Sequence, residues 1–579
     1  MHDEASEGQA SAIRRRTGGR IVVDALLAHG VARVFGVPGE SYLPILDALY
    51  DVRQRLPFIA CRHEHGAAMM AEAHGKLTGF PGVCLVTRGP GACNAAIGVH
   101  VAFQDSTPMV LLVGQVERPF LGREAFQEVD FEAMFGPLAK HAEQVDWIGD
   151  LPDALANAFY LTRSGRPGPV VLALPKDLLA ERAAVGDAPP RPVEALDPDP
   201  DRMARLSEML AHAQRPILLL GGSCWTDEAR DDVRAFAEAH ALPVCCSFRR
   251  HDLFDAAHPA YAGELGIGAN PALVARVRAG DLLLAVGTRL GEATSQGYTL
   301  LDAGPGTRPG SPRLVHVHPD PAEPGRVFPP ALAIEAAPAP FAAAALVLPA
   351  TGAADGERHA WMAAARSDYL ADSTPEPSGS ALDLGRAMRE LDDALPEDAI
   401  VTVDAGNYSG WTQRFLRIGR RRRLLGPCNG AMGYSVPAAL AAKLQSPGRT
   451  VVATVGDGSF GMTGGEFATA IAQGAGILVV VFDNGQYGTI RGHQEREYPA
   501  RVIGTALANP DFAALARSYG AHAEAVDRTS EFAPALARGL EAARDGSPAL
   551  LALACDPDIV STRTTIARLR EAAALKADS

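Results

Sequence analysis

The stretch TVGDGSF, residues 454–460, closes an apolar run, and a second apolar run, ILVVVFDNGQYG, residues 477–488, ends on Asp483 and Asn484. Between them lies MTGGEFATAIAQG, residues 462–474, a small-residue segment that reads as a helix. Strand, helix and strand in that order predict a right-handed parallel crossover, which puts Asp457 and Asn484 side by side at the carboxyl edge of one sheet. The same alternation runs along the whole chain: ARVFGV, GVCLVT, MVLLVG and PVVLAL, then PILLLG, DLLLAVG and RLVHVH, then AIVTVDAG, TVVATVG, ILVVVF and ALLALA. Apolar runs this continuous are how strands buried on both faces read, and helical spacers between them imply parallel sheets.

With 579 residues, 47% of them hydrophobic and 21% charged, the chain is too long for a single core. Two stretches rich in Pro, Ala, Gly and acid divide it: AAVGDAPPRPVEALDPDPD at 183–201, and 349–380, which ends ADSTPEPSGS. The resulting fold class is α/β, with three doubly wound parallel-sheet domains at 18–182, 202–348 and 381–560. Linkers are expected at 183–201 and 349–380, a flexible tail at 1–17 and a second tail at 561–579. A formal charge of −14 argues against a nucleic-acid surface, and the one basic run, 420–423, reads as a solvated rim. Eight cysteines without a C-x-x-C pair make neither a disulfide framework nor a zinc site, and they fit a reducing, cytoplasmic setting. No uninterrupted apolar segment of about 18 residues is present, so neither membrane spanning nor export is expected.

Gly456 and Gly458 let the backbone turn sharply around Asp457 and approach a bound group closely. An acid, an amide oxygen and a loop carbonyl form a hard oxygen site that is incomplete alone, and diphosphate oxygens with a water would complete an octahedron around Mg²⁺. An isolated Gly-Asp-Gly is usually a plain turn. Paired with an Asn at this spacing, it reads as a metal–diphosphate anchor.

GDGSF and DNGQYG, taken with VFGVPGE, CRHEHGAAMMAEAHGKLTG, GPGACN, DSTPMVLLVGQV, AFQEVD, GRPGPVVLALPKD, DLLLAVGTRL, DAGNYSGW and GAMGYSVPAAL, resemble the thiamine diphosphate (ThDP) enzymes of the acetolactate synthase-like branch. The resemblance runs from about Gly19 to Asp556. It implies a pyruvate oxidase/decarboxylase-type architecture, with pyrimidine-binding (PYR), central and diphosphate-binding (PP) domains over the three blocks. By the same resemblance Asp457, Asn484 and the carbonyl of Gln486 would hold Mg²⁺, and Asn407, Tyr408, Gly458, Ser459 and Gly488 would lie around the diphosphate. Gly430 would accept a hydrogen bond from the aminopyrimidine, and Met432 would be the apolar wedge under the bent cofactor. Glu64, in RHEHG, matches the glutamate that bonds the pyrimidine ring nitrogen and drives activation of the thiazolium carbon.

The implied reaction is decarboxylation of a 2-oxo acid, followed by ligation of the carbon left behind to a second carbonyl. Phe126 and Gln127 match the pair that lines the cofactor's reactive side in the synthases. Four positions depart from the pattern. Ala293, in LGEA, stands where the synthases carry the arginine for the second substrate's carboxylate, and His493 stands where they carry an activity-determining tryptophan. Glu40 replaces the second glycine of PGG, and Arg88 replaces the serine before GPG. Arg88, paired with Glu40, is the expected substitute for the missing carboxylate contact, against the plainer reading of a structural ion pair. His100 and His493 are candidate proton donors. These departures keep an alternative open, a non-ligating 2-oxo acid decarboxylase or a ThDP-dependent lyase or hydrolase. An idle homologue would be expected to lose one of Glu64, Asp457 and Asn484. FAD, which synthases of this branch bind in the central domain, is left open with the balance against it. In this family Glu64 and the anchor of one site come from different chains, so the smallest expected unit is a homodimer and the expected assembly a homotetramer.

Overall fold

The computed structural model describes residues 14–194, 196–301, 311–351 and 356–577. Three six-stranded sheets form, one in each expected block, and the ladders within them are parallel. In the first sheet the strands lie side by side in the order Phe58–Ala60, Val34–Gly36, Gly82–Val86, Met109–Gln115, Pro169–Pro175 and His141–Gln144. The third runs Arg423–Leu425, Ile400–Val403, Val451–Gly456, Leu478–Asp483, Ala549–Ala554 and His522–Val526. Both sheets therefore follow one winding, in which the chain starts near one edge, adds a strand outward and then reverses. The middle sheet winds differently, as Tyr261–Leu265, Val244–Ser247, Pro216–Leu220, Leu282–Val286, Arg313–His318 and Leu332–Glu335. The central strands are buried along their whole length, as the unbroken apolar runs require.

Segments that read as tails and linkers carry structure. Arg16–Thr17, within the expected tail 1–17, pairs antiparallel with Arg182–Ala183 and ties the start of the first domain to its end, while residues 1–13 lie outside the described residues. The expected linker 349–380 contains the helix Gly356–Asp372. Buried Arg358 of this helix donates to the carbonyls of Leu210 and Ala213, and Trp361 Nε1 donates to Pro216 O at 3.1 Å, so the helix belongs to the wall of the middle domain. The helix Ile566–Ala577, in the expected tail 561–579, docks on the helix Gly488–Glu497. There Arg570 Nε and Nη2 donate to the two oxygens of buried Glu495, each at 2.7 Å. Composition misleads at these places because the contacts that hold the helices are few: buried Arg358 and a short stripe of Trp361, Met362, Ala365 and Tyr369 in the first, and Arg570 on Glu495 in the second.

The first and third domains share one continuous core. The helix Glu64–Thr78 buries the whole run Gly66–Gly75 and packs on Ser435–Gln445, where small side chains allow close approach. A buried polar network fixes the register. Tyr434 Oη donates to Glu72 Oε2 at 2.6 Å, Thr107 Oγ1 donates to Glu72 Oε1 at 2.8 Å, and Lys76 Nζ donates to Gly426 O at 2.9 Å. Lys76 also pairs with Asp105, whose other oxygen accepts Cys428 N at 2.9 Å. Burial works to discharge Lys76, but Asp105 and Glu72 outweigh it and hold the ammonium charged. A network partnered at every member defines one docking geometry.

Candidate active site

Ile400–Val403, Val451–Gly456 and Leu478–Asp483 are adjacent strands, and the loops leaving their carboxyl ends enclose a cavity of about 230 Å³. Asn407, Tyr408, Gly430, Met432, Asp457, Gly458, Ser459, Asn484, Gln486 and Gly488, the residues expected around diphosphate and metal, all line it. Gly456 stands opposite Phe482 in the ladder, which brings Asp457 beside Asp483 and Asn484. Asp457 Oδ1 accepts Gly458 N at 2.8 Å, and its Oδ2 accepts Gly485 N at 2.9 Å and Asn509 Nδ2 at 2.8 Å. Asn484 Oδ1 accepts Gln486 N at 3.1 Å. Burial pushes the Asp457 carboxyl up, Asn509 and the amides of Gly458 and Gly485 pull it down, and Asp483 pushes it up again. The net rise is a strain that a cation would relieve.

The donor set fits Mg²⁺ with a diphosphate. Among the described residues no group of three or more His, Cys, Asp or Glu side chains is placed to hold a metal by itself. One carboxylate, one amide oxygen and one backbone carbonyl call for oxygens supplied by a ligand. The cradle also depends on glycine. A Cβ at Gly458 would stand 2.6 Å from the Tyr487 ring, one at Gly488 would stand 2.9 Å from Asn484 Nδ2, and Gly430 has φ +73°, which favours glycine. The Tyr408 ring faces the cavity, but its hydroxyl is taken up by backbone: it accepts Asp404 N at 2.8 Å and donates to Thr454 O at 3.1 Å.

Asp404 sets the shape of the opposite wall. Its Oδ2 accepts Gly433 N, Tyr434 N and Ser435 N at 3.1, 3.0 and 3.3 Å, so one buried carboxylate holds the GAMG turn and with it Met432. Burial raises the Asp404 carboxyl to about 6 in spite of those amides.

Of the remaining candidates, all but His493 lie on the first domain. Glu64 opens its helix, is 9% exposed, and accepts Asn94 Nδ2 at 3.0 Å. The turn that delivers it is held from the third domain by Glu466, whose Oε1 accepts Arg62 N and His63 N, each at 3.0 Å, while Thr469 Oγ1 donates to Oε2 at 2.7 Å. Buried Arg88 caps the helix Gly89–Asp105, donates from Nε to Gln127 Oε1 at 3.2 Å and lies 5.7 Å from the Phe126 ring centre. Its Nη2 stands 3.6 Å from Glu40 Oε2, so the expected pairing forms, and Lys176 Nζ donates to Glu40 Oε1 at 2.8 Å. Lys176 first, then Arg88, holds the Glu40 carboxyl below its ordinary range. Phe126 is 75% exposed.

Glu64, Arg88, Phe126 and Gln127 do not line the diphosphate cavity of their own chain. His100 lines a cavity of about 750 Å³ at the junction of the three domains, together with Ala293 and Gly430, and its Nδ1 lies 3.2 Å from Asn429 Nδ2. His493 lines neither cavity: it is more than half exposed, beside Arg496 and Glu497. Sequence reasoning missed Asp404, Glu466 and Asn509. The first two sit inside quoted motifs, as a lone acid just after a strand and a lone acid among small residues, and either could have raised the question. Asn509, in ALANPDF, carries no local signal.

Comparisons with known proteins cover the same ground. Residues 16–134 match the family described as thiamine pyrophosphate enzyme, N-terminal TPP binding domain. Residues 203–345 match its central domain and 404–553 its C-terminal TPP binding domain. The acetolactate synthase isozyme 2 large subunit of Escherichia coli (strain K12) is 34% identical over 528 residues, covering 90% of this chain and 92% of that one. The acetolactate synthase large subunit of Corynebacterium glutamicum is 32% identical, over 93% of this chain and 87% of its own. A probable acetolactate synthase large subunit of Methanocaldococcus jannaschii is 30% identical, over 93% and 92%.

Proposed function

The chain belongs to the thiamine pyrophosphate enzyme family, and on that premise we propose that it decarboxylates a 2-oxo acid and joins the carbon left behind to a second carbonyl, the acetolactate synthase type of reaction. The observation that carries the proposal is the glycine-lined cavity around which the ten diphosphate and metal candidates converge. Asp457, Asn484 and the Gln486 carbonyl would hold Mg²⁺, with Asn407, Gly458, Ser459 and Gly488 about the diphosphate. When bound, ThDP supplies the electron sink for loss of CO₂ and formation of the new carbon–carbon bond. The chain's own residues do the rest. Met432, held by Asp404, would support the bound cofactor from the cavity wall, the Gly430 carbonyl would accept a hydrogen bond from its amine, and Glu64 would share a proton with its ring nitrogen.

Glu64, Arg88, Phe126 and Gln127 do not line the cavity of their own chain, and Phe126 is bare. Both facts support a second copy that lays this face over the cavity, a homodimer at least, with a homotetramer as its doubling. A cytoplasmic setting is supported by the eight free cysteines, and no helix among the described residues is long and apolar enough to cross a membrane. We leave FAD out of the proposal. Ala293, on the wall of the 750 Å³ cavity, favours the second reading, a non-ligating decarboxylase. One incubation of pure enzyme with ThDP, Mg²⁺ and a panel of 2-oxo acids decides, with products identified by mass. An acetohydroxy acid from pyruvate supports ligation, aldehyde alone supports the second reading, and no CO₂ from any substrate sinks both.

A further inference from the structure

Between the middle and third domains lies a cavity of about 370 Å³, which shares Gly406, Asn407, Gly430 and Thr489 with the diphosphate cavity. Arg249 lines it. Its backbone has φ +65°, a region that non-glycine residues rarely occupy, and its amide donates to Glu264 Oε1 at 2.5 Å. The side chain belongs to a residue only 3% exposed. Nη2 donates to Asp404 O at 2.8 Å and to Ser409 Oγ at 3.3 Å, but Nε and Nη1 are buried without a hydrogen-bond partner.

His251, also 3% exposed, lines the same cavity; its Nε2 has no partner and its Nδ1 stands 3.5 Å from Glu264 Oε2. Glu264 makes no hydrogen bond to the guanidinium: its oxygens accept the Arg249 amide and Gln413 Nε2 at 3.2–3.3 Å, and the two side chains meet only as opposite charges. Arg414, on the same wall, is paired with Asp372. A desolvated guanidinium with unmet donors on a strained backbone is costly, and such cost is retained where a ligand makes use of it.

We propose that Arg249, with His251 beside it, holds the carboxylate of the second, acceptor 2-oxo acid, filling from the turn after Val244–Ser247 the role that Ala293 leaves vacant. The inference rests on the ligation reading above. The acceptor keeps its carboxylate throughout, so a cation can grip it without opposing the chemistry. A donor gripped in the same way would be held against loss of its CO₂.

The test titrates holoenzyme with oxamate, an unreactive 2-oxo acid mimic, and with uncharged oxamide, by calorimetry. Wild type, Arg249→Met, Arg249→Lys and Arg88→Ala are compared, with melting curves to confirm folding and with products from pyruvate measured in parallel. Arg249→Met should weaken oxamate by about 10- to 100-fold, the range for one lost charge-assisted hydrogen bond, and leave oxamide unchanged. Arg249→Lys should recover part of the loss, and the Arg249→Met products should shift toward aldehyde with CO₂ release little altered. Oxamate binding in a folded Arg249→Met within about twofold of wild type overturns the proposal. Wild type that makes no ligated product ends the ligation reading, while the oxamate titration still decides whether Arg249 grips a carboxylate.

Discussion

Glu466 reaches across 403 and 404 positions of sequence to accept the amides of His63 and Arg62, and Gly66 lies directly over it: a Cβ there would stand 2.4 Å from Oε1 and 2.7 Å from Cδ and Cγ. Glu466→Ala leaves two part-buried amides unmet, each costing up to about 1–3 kcal/mol. Burial raises the Glu466 carboxyl in spite of its partners, so removing it also relieves some desolvation, and a net loss of about 2–4 kcal/mol is expected. Gly66→Ala would ordinarily steady a helix by roughly 0.5–1 kcal/mol. Here the new methyl drives Glu466 off its amides, so the sign reverses and the cost approaches that of Glu466→Ala. Because both substitutions break one contact, Gly66→Ala with Glu466→Ala should cost no more than Glu466→Ala alone. Glu466→Gln keeps Oε1 as acceptor and turns Nε2 to Thr469, for a cost within about 1 kcal/mol.

A three-domain chain does not unfold in two states, so the readout is local: hydrogen exchange of the peptide covering Arg62 and His63. A loss of 2–4 kcal/mol appears as about 30- to 1,000-fold faster exchange, with a lower kcat because the turn delivers Glu64. Wild-type exchange in Gly66→Ala, or a double variant equal to the sum of the singles, would refute the reasoning.

Three further outcomes follow from the site and its supports. Asp457→Ala should abolish Mg²⁺-dependent ThDP binding, measured by calorimetry on apoenzyme; unchanged affinity removes Asp457 from the anchor. With Arg249 in the carboxylate role, Arg88→Ala should leave KM for the 2-oxo acid within about twofold, Arg88 and Glu40 being a structural ion pair; a rise of about tenfold or more returns that role to Arg88. Arg570 leads the causes that hold the Glu495 carboxyl down at about 2, so the contribution of this contact is complete above the ordinary glutamate range near 4.5 and is lost as pH falls toward 2. Exchange of the helix Ile566–Ala577 should therefore be faster in Arg570→Met than in wild type at pH 7, with the difference closing on acidification; a difference that persists unchanged at pH 3 would contradict the assignment.

The anchor could be read from the chain because it is contiguous. Strand, turn, helix and strand occupy 451–483, apolar run length and glycine spacing are written within them, and crossover handedness then brings Asp457 to Asn484 with no knowledge of the rest. The three doubly wound sheets were legible for the same reason, whereas most of the ten cavity candidates came from the resemblance to the ThDP enzymes, carried by GDGSF, DNGQYG, DAGNYSGW and GAMGYSVPAAL. Other features left no local mark. The helix Gly356–Asp372 hides in linker-like composition because Arg358 and Trp361 act on carbonyls of Leu210, Ala213 and Pro216, far away in sequence. Whether Arg88 meets Glu40, and that His493 faces solvent while His100 faces a cavity, depends on how loops from separate strands settle. Sequence by itself determined the family and the α/β fold, since ordered local motifs and repeated strand–helix alternation along the chain carry both. Only the tertiary structure decided that Glu466 props the Glu64 turn and that Arg249 is buried with donors unmet, because hydrogen-bond partnership is a property of space and these partners are joined by nothing nearer than the packed core.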